Sequence, residues 1–329
     1  MCRRVASLVL PALLVLAGTT RAAAEPTALP APLAYDYGET ETPRSLGIGA
    51  LHAAGGGVNA LFLNPANFGI TRAYHVGALA QFLPEAGRHL YGGAIMDSTR
   101  RFSGGLGFVG GFQDPDGADR TTLDARAGLA YAISPELHLG LGARYLRVHQ
   151  EGLGVLGASR ASGGLLDPEA PPSGRELLLE AVTADAGVTF RPIPELYIGA
   201  FGQNLTHPGI GLVPTLAGGG VAFGTEDFTL EVDGLADFDS WGKTSARVMA
   251  GGEYLLLDRV PLRAGYRLDL LDGASAEPSH SVSGGLGYVT PQLAVEASVR
   301  RSVTGPSMTV IAVAFTYHIE SLGLQIEPY

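Results

Sequence analysis

Between residues 73 and 319 the sequence alternates with a period of two. Apolar and aromatic residues fall on one parity, and glycine, small or charged residues on the other, in stretches of about ten residues separated by turn-forming clusters. That period marks β-strands with two unlike faces. Fourteen segments can be marked, at approximately 73–83, 88–98, 101–113, 121–133, 136–148, 177–190 and 195–204, then 215–224, 227–238, 244–257, 260–270, 280–290, 292–302 and 307–319. The fifth carries Leu137, Leu139, Leu141, Ala143 and Tyr145 on one parity, with His138, Gly140, Gly142 and Arg144 on the other. The eleventh sets Leu262, Ala264, Tyr266 and Leu268 against Arg263, Arg267 and Asp269, and the thirteenth sets Val295, Ala297 and Val299 against Glu296, Ser298 and Arg300. The third segment, within "RFSGGLGFVGGF", spells G-x-G-x-x-G at Gly105, Gly107 and Gly110. A dinucleotide loop would open a helix there; Pro115 and the small polar residues around it open none, and the alternation of Phe102, Leu106, Phe108 and Phe112 with small residues reads as a strand.

Two all-β architectures alternate in this way, a soluble sandwich and a transmembrane barrel. The connections separate them. Those at 98–100, 134–136, 191–195, 225–227, 257–259 and 290–292 are tight, and several contain proline. Those between include "QDPDGADR", the 28-residue stretch 149–176, "LTHPGIGLVP" and "LDGASAEPS". Short turns on one side and roomy loops on the other are what a chain threaded through a bilayer produces. The predicted fold class is therefore all-β, a transmembrane antiparallel up-and-down barrel of about fourteen strands. Gly105, Gly107, Gly140, Gly142, Gly265 and Gly285 on the inward parity are expected to leave room inside or to let strands bend.

Composition agrees. The chain is 46% hydrophobic and 16% charged, with 47 glycines in 329 residues, fewer charges than the ~25% of soluble domains. Arg3 and Arg4, an apolar stretch and Ala22-Ala23-Ala24 before Glu25 have the order of a secretory signal peptide, predicted to occupy 1–24 with cleavage near Ala24/Glu25. The only cysteine is Cys2, so the mature chain carries neither disulfides nor thiolate metal sites. Losing Arg3, Arg4 and Arg21 leaves 19 basic residues against 32 acids, about −13, which argues against nucleic acid as a partner. After the leader, 25–43 is Pro-rich and aperiodic, read as a periplasmic lead-in; 44–72 is compact, apolar and broken by glycine; 73–320 is the barrel and 321–329 a tail.

Candidate chemistry is sparse. No catalytic triad, carboxylate pair or metal-ligand spacing is present, so neither an enzyme nor a cofactor is expected. Glu231, Asp233 and Asp237 share one face of the ninth segment, and Arg247, Arg263 and Arg267 face the same lumen from the next two. They read either as cross-strand charge pairing or as a polar constriction that orients a ligand head group. In the long loop, Leu153, Val155, Leu156, Leu165 and Leu166 read either as an external capture surface for hydrophobic molecules or as a cover over the mouth. Trp241, Tyr145, Tyr288 and Tyr317 suit interfacial aromatic girdles.

The stretch "RSLGIGALHAAGGGVNALFLNPANFG" carries Arg44, Gly47, Gly49, Asn59, and Asn64-Pro65-Ala66. It resembles the N-terminal segment of the FadL-like outer-membrane barrels, which include long-chain fatty-acid and aromatic-hydrocarbon transporters and the related PorV-type barrels. The resemblance implies a Gram-negative outer-membrane location among membrane lipids, an N-terminal hatch over 44–72, and passive uptake of hydrophobic small molecules such as long-chain fatty acids. The alternative it implies is a PorV-type scaffold binding exported proteins or a secretion machine, with which "FGQNLTHPG" is also similar.

Overall fold

The computed structural model describes residues 40–113, 120–150, 176–206, 213–239, 244–270, 278–305 and 307–319. Its strands are β1 (Tyr74–Leu83), β2 (Arg88–Asp97), β3 (Phe102–Gln113), β4 (Arg120–Ala132), β5 (Leu137–Gln150), β6 (Glu176–Ile193) and β7 (Leu196–Gln203). They continue with β8 (Leu216–Gly224), β9 (Phe228–Asp237), β10 (Ser245–Leu256), β11 (Val260–Asp269), β12 (Ser279–Val289), β13 (Leu293–Ser302) and β14 (Thr309–His318). Each pairs antiparallel with its sequence neighbours, and β1 pairs with β14 from His75↔His318 to Phe82↔Ile311, closing the barrel. Closure leaves no sheet edge unpaired, which is what a lipid environment demands of a sheet.

The two parities separate as the alternation predicts. Phe102, Leu106 and Phe108 of β3, Leu141 of β5, Leu230 and Val232 of β9 and Leu286 of β12 are all more than half exposed, and every strand contributes to this apolar belt. So much continuous apolar surface far exceeds the few hundred Å² that a soluble monomer tolerates; lipid is the solvent that suits it. No helix among the described residues is long and apolar enough to cross a membrane. Tyr131, Tyr254, Tyr288 and Tyr317 lie exposed near the short-turn end, a girdle at one interface. Trp241 lies outside the described residues.

Turns of two to four residues, at 98–101, 133–136, 194–195, 225–227, 257–259 and 290–292, sit at one end, which by this asymmetry is periplasmic. The other end carries the longer connections, except the tight hairpin Pro84–Gly87 between β1 and β2. One turn differs from expectation. Arg191 and Pro192 belong to β6, and the pairing with β7 shifts between Phe190 and Ile193. Pro192 has no N–H to give, and a β-bulge is where a sheet tolerates that; the prolines mark the irregularity, and the turn itself is only 194–195.

The N-terminal segment enters the lumen and leaves it into β1 at the periplasmic end. Residues 40–43, expected in the periplasm, are instead inside the barrel. Thr40 and Thr42 are buried, the Glu41 N–H donates to Gln81 of β1, and Arg300 of β13 pairs with the Glu41 carboxylate. Proline and the lack of periodicity correctly suggested no strand or long helix here, but carried no information about which side of the barrel the segment occupies. The expected leader (1–24), the rest of the lead-in and the tail lie outside the described residues.

Candidate functional site

The hatch is built from three short pieces. Helix α1 (Pro43–Ile48) starts at Thr42, where a capping box joins the Thr42 and Ser45 side chains to each other's backbone N–H, and Pro43 fills the first turn. It ends at Gly49, whose φ of 78° lies in the left-handed region. Helix α2 (Asn59–Phe62) is a single turn, and a 3₁₀ turn over Pro65–Gly69 is capped by the Asn64 side chain, which accepts from the Ala66 N–H at 3.1 Å. None would persist alone at this length. Burial holds them: Leu46, Ile48, Leu51 and Phe68 are fully enclosed, each contributing roughly 1.5–3 kcal/mol.

Irregular backbone inside a barrel has polar groups that no sheet ladder satisfies. Side chains of the wall (Asp233, Glu231, Arg126 and Gln203) and of the hatch itself (Asn64 and Asn67) take them up. Asp233 Oδ2 accepts from the Leu51 N–H at 2.9 Å and the His52 N–H at 3.0 Å, and meets His52 Nδ1 at 2.7 Å. Glu231 accepts from the Ala53 N–H at 2.6 Å and the Ala54 N–H at 3.2 Å. Across the lumen, Arg126 donates to the Phe62 carbonyl at 3.2 Å, and Gln203 donates to the Phe62 and Leu63 carbonyls at 2.9 and 2.7 Å. Asn64 Nδ2 and Asn67 Nδ2 both donate to the His52 carbonyl at 3.0 Å, with Thr189 of β6 bonded to both asparagines. Finally, Arg44 is tied to Glu253 of β10 at 2.9 Å; Arg263 joins the same carboxylate at 2.6 Å and also pairs with Glu296. Burial lowers the pKa of Arg44, but Glu253 and Glu296 more than restore it, so it lies above the ordinary arginine value.

The six charged residues expected as one lumen cluster are thus divided. Arg263 joins the Glu253–Glu296 group, while Arg247 and Arg267 both reach Asp269, at 2.6 and 2.7 Å. Glu231 and Asp233 hold hatch amides, and Asp237 accepts from the Asp239 N–H. Strand parity placed all six inward, but which carboxylate meets which donor depends on the hatch path. Among the hatch residues singled out, Asn59 donates to the Gly56 carbonyl at 2.8 Å and accepts from Thr42; the Gly47 carbonyl accepts from Ser283 at 3.0 Å. Pro65 and Ala66 lie against Gly140, where a Cβ would overlap them. Gln203, Arg126, His52 and Thr189 were not singled out; an uncapped backbone in the lumen is the only cue that would have found them.

Wall glycines seat this hatch. Gly251 and Gly265 leave space for the Ile48 carbonyl, Gly187 for the Asn64 side chain, and Gly105 and Gly128 for the Phe68 ring. The room expected inside at Gly105, Gly107, Gly140 and Gly265 exists, and the hatch fills it; that at Gly142 and Gly285 takes the neighbouring Asp185 and Ser298 side chains. "FGQNLTHPG" also has a structural account: Asn204, at φ 53°, donates to the Pro214 carbonyl at 2.8 Å and accepts from Thr183, pinning the start of the β7–β8 connection. Beneath the hatch, at the periplasmic end, lies a cavity of about 350 Å³ between the hatch, β1, β14 and the β8–β9 turn. The expected capture residues Leu153, Val155, Leu156, Leu165 and Leu166 lie outside the described residues.

No family model and no curated protein matches the sequence. Solved structures do match the fold. The chain is similar to the CymD monoaromatic hydrocarbon channel, at 15% identity and a TM-score of 0.64, covering 87% of this chain and 99% of that one. It is similar to the Ralstonia pickettii toluene transporter TbuX, at 13% identity and a TM-score of 0.63, over 87% and 100%. A Pseudomonas aeruginosa FadL homologue follows at 14% identity and a TM-score of 0.61, over 85% and 99%. The fold of this chain is that of the FadL-like outer-membrane barrels.

Proposed function

We propose that the protein is an outer-membrane channel for the passive uptake of hydrophobic small molecules, reached after cleavage of the leader near Ala24/Glu25. The observation that carries this reading is the hatch: a closed, lipid-facing barrel whose lumen is stoppered by a short segment held through side-chain hydrogen bonds and not through strand pairing. Such a stopper can shift without opening the barrel wall. Its fold neighbours named as a monoaromatic hydrocarbon channel and a toluene transporter support the same class of cargo. Ligand gathers at the loop end, rests against the hatch, and passes when the hatch moves about its glycine seats. The scaffold alternative gains nothing from these neighbours, and the asparagine motif that suggested it is accounted for by loop geometry.

Uptake into proteoliposomes of labelled toluene and labelled oleate, with the mature barrel and with a variant lacking 44–72, tests the proposal. Toluene influx several-fold above empty vesicles is expected for the full barrel, with ion leakage rising sharply in the deletion variant. Influx of both probes equal to that of empty vesicles, with the full barrel and with the deletion variant alike, would overturn the uptake reading.

A further inference from the structure

The hatch is clamped unevenly along its length. Over residues 41–47, Arg300 pairs with Glu41, Ser298 donates to the Pro43 carbonyl at 2.6 Å, Glu253 holds Arg44, and Ser283 donates to the Gly47 carbonyl. Asp233 and Glu231 accept the four consecutive amides of residues 51–54. Arg126, Gln203 and Thr189 hold the stretch from Phe62 to Asn67. The helical turn before it is seated by packing: Ala60, Leu61 and Phe62 are buried with Leu79 of β1, Leu90 and Ala94 of β2 and Val109 of β3, and Asn59 is tied to Thr42.

Between Ala54 and Asn59 this support stops. Among the described residues, Gly55, Gly56, Gly57 and Val58 make no hydrogen bond to the wall. Their bonds are local. The Gly56 N–H donates to the Ala54 carbonyl at 2.9 Å, the Ala60 N–H to the Gly57 carbonyl at 3.1 Å, and Asn59 Nδ2 to the Gly56 carbonyl at 2.8 Å. Val58 meets its surroundings through apolar packing and is only partly buried. Three glycines in succession, one of them (Gly57) at a φ of 71°, give the backbone turning freedom that other residues lack. Gly56, Gly57 and Val58 also line the cavity of about 350 Å³ beneath the hatch, so this unclamped stretch borders space it can move into. Segments with few buried contacts and local bonds open at a free energy well below that of the whole fold, and a few residues suffice to absorb a hinge motion.

We infer that residues 55–58 are the moving part of the hatch, a flap that swings aside through the cavity it faces while the segments on either side stay seated. The inference rests on the uptake reading, whose hatch motion it confines to four residues. The motion itself can be measured apart from transport.

Val58→Cys with Gly77→Cys staples the flap to β1. A Cβ at residue 77 would stand 3.6 Å from Val58 Cγ2, with its nearest other neighbours at 3.5 and 3.6 Å, near disulfide geometry and without a clash. Cys2 of the expected leader is the chain's only cysteine, so no other thiol competes. Labelled toluene influx into proteoliposomes is expected to fall at least fivefold on oxidation and to recover on reduction. A second staple, Ala53→Cys with Ala222→Cys, joins residues packed in one cluster on the clamped side and is expected to leave influx within twofold. Amide exchange of the unsubstituted barrel in lipid nanodiscs gives a reading free of substitutions: Gly56 and Ala60 are expected to exchange at least tenfold faster than Ala53 and Ala54. Influx unchanged by the oxidised flap staple, equal loss with both staples, or exchange at Gly56 and Ala60 as slow as at Ala53 and Ala54 would overturn the flap. If toluene crosses whether or not the flap is stapled, the flap is wrong and the uptake reading stands. If exchange separates as expected and no probe crosses, the flap stands and the uptake reading fails.

Discussion

Asp233 illustrates how single residues hold the hatch. Its Oδ2 accepts the Leu51 and His52 amides and meets the His52 ring, which itself stacks on Phe201 with centroids 4.4 Å apart. Charge-assisted bonds of this kind are worth about 1.5–3 kcal/mol each. Asp233→Ala leaves two buried N–H groups without partners while touching no strand pairing. Amide exchange at residues 51–54 is therefore expected to rise at least tenfold, since each 1.4 kcal/mol is a factor of ten. The urea midpoint of the barrel should barely move. Exchange unchanged at those amides would mean that packing alone seats the hatch. Glu231 and Asp233 were visible as an acidic pair on an inward parity, but nothing in their spacing said that backbone amides and not arginines would meet them.

At the level of elements, the strands were legible because period two reports which face is wet, apolar or small, and that information is local. Hairpins were legible for the same reason. The β6 end was misplaced by the prolines, since a bulge and a turn share the same residues. Among the connections, the Pro84–Gly87 hairpin is tied sideways to β14: Glu85 accepts from the Thr309 N–H at 2.9 Å and its hydroxyl at 2.8 Å, and pairs with Arg301. Partial burial raises the Glu85 pKa, but the Thr309 and Arg301 bonds outweigh it and hold it below the ordinary carboxylate value. A carboxylate stabilised in the folded state contributes above its unfolded pKa and loses that contribution as pH falls through the depressed folded value. The hairpin is therefore expected to loosen only in acid below the ordinary carboxylate range, read as faster amide exchange at 84–87 and 309. Glu85→Gln should show the looser state already at neutral pH. Loosening of the native hairpin as the pH rises would contradict this assignment.

For the whole molecule the bilayer is the dominant partner. The outward face carries no charge at its middle, and Leu141 is the more exposed of the two exposed leucines on β5. Leu141→Arg is expected to destabilise the barrel by about 2–4 kcal/mol, the range for arginine at the bilayer midplane, measured by urea titration of folding into phospholipid vesicles. A cost below about 0.5 kcal/mol would argue that this face does not contact the hydrocarbon core.

Strand number, parity, lipid-facing surface and the sidedness of the loops were all determined by the sequence itself. Each follows from the residue type every second position must have when one face meets lipid and the other a lumen, and from how far the chain can reach between neighbouring strands. The path of the hatch was decided only in three dimensions. Its residues obey no period, so their partners come from strands up to 259 positions away, as in Arg300 donating to the Glu41 carboxylate. The sequence marks the glycines and inward charges that could receive such a segment. Only the closed barrel determines which of them lie within hydrogen-bonding distance of it, and where the space left beneath it lies.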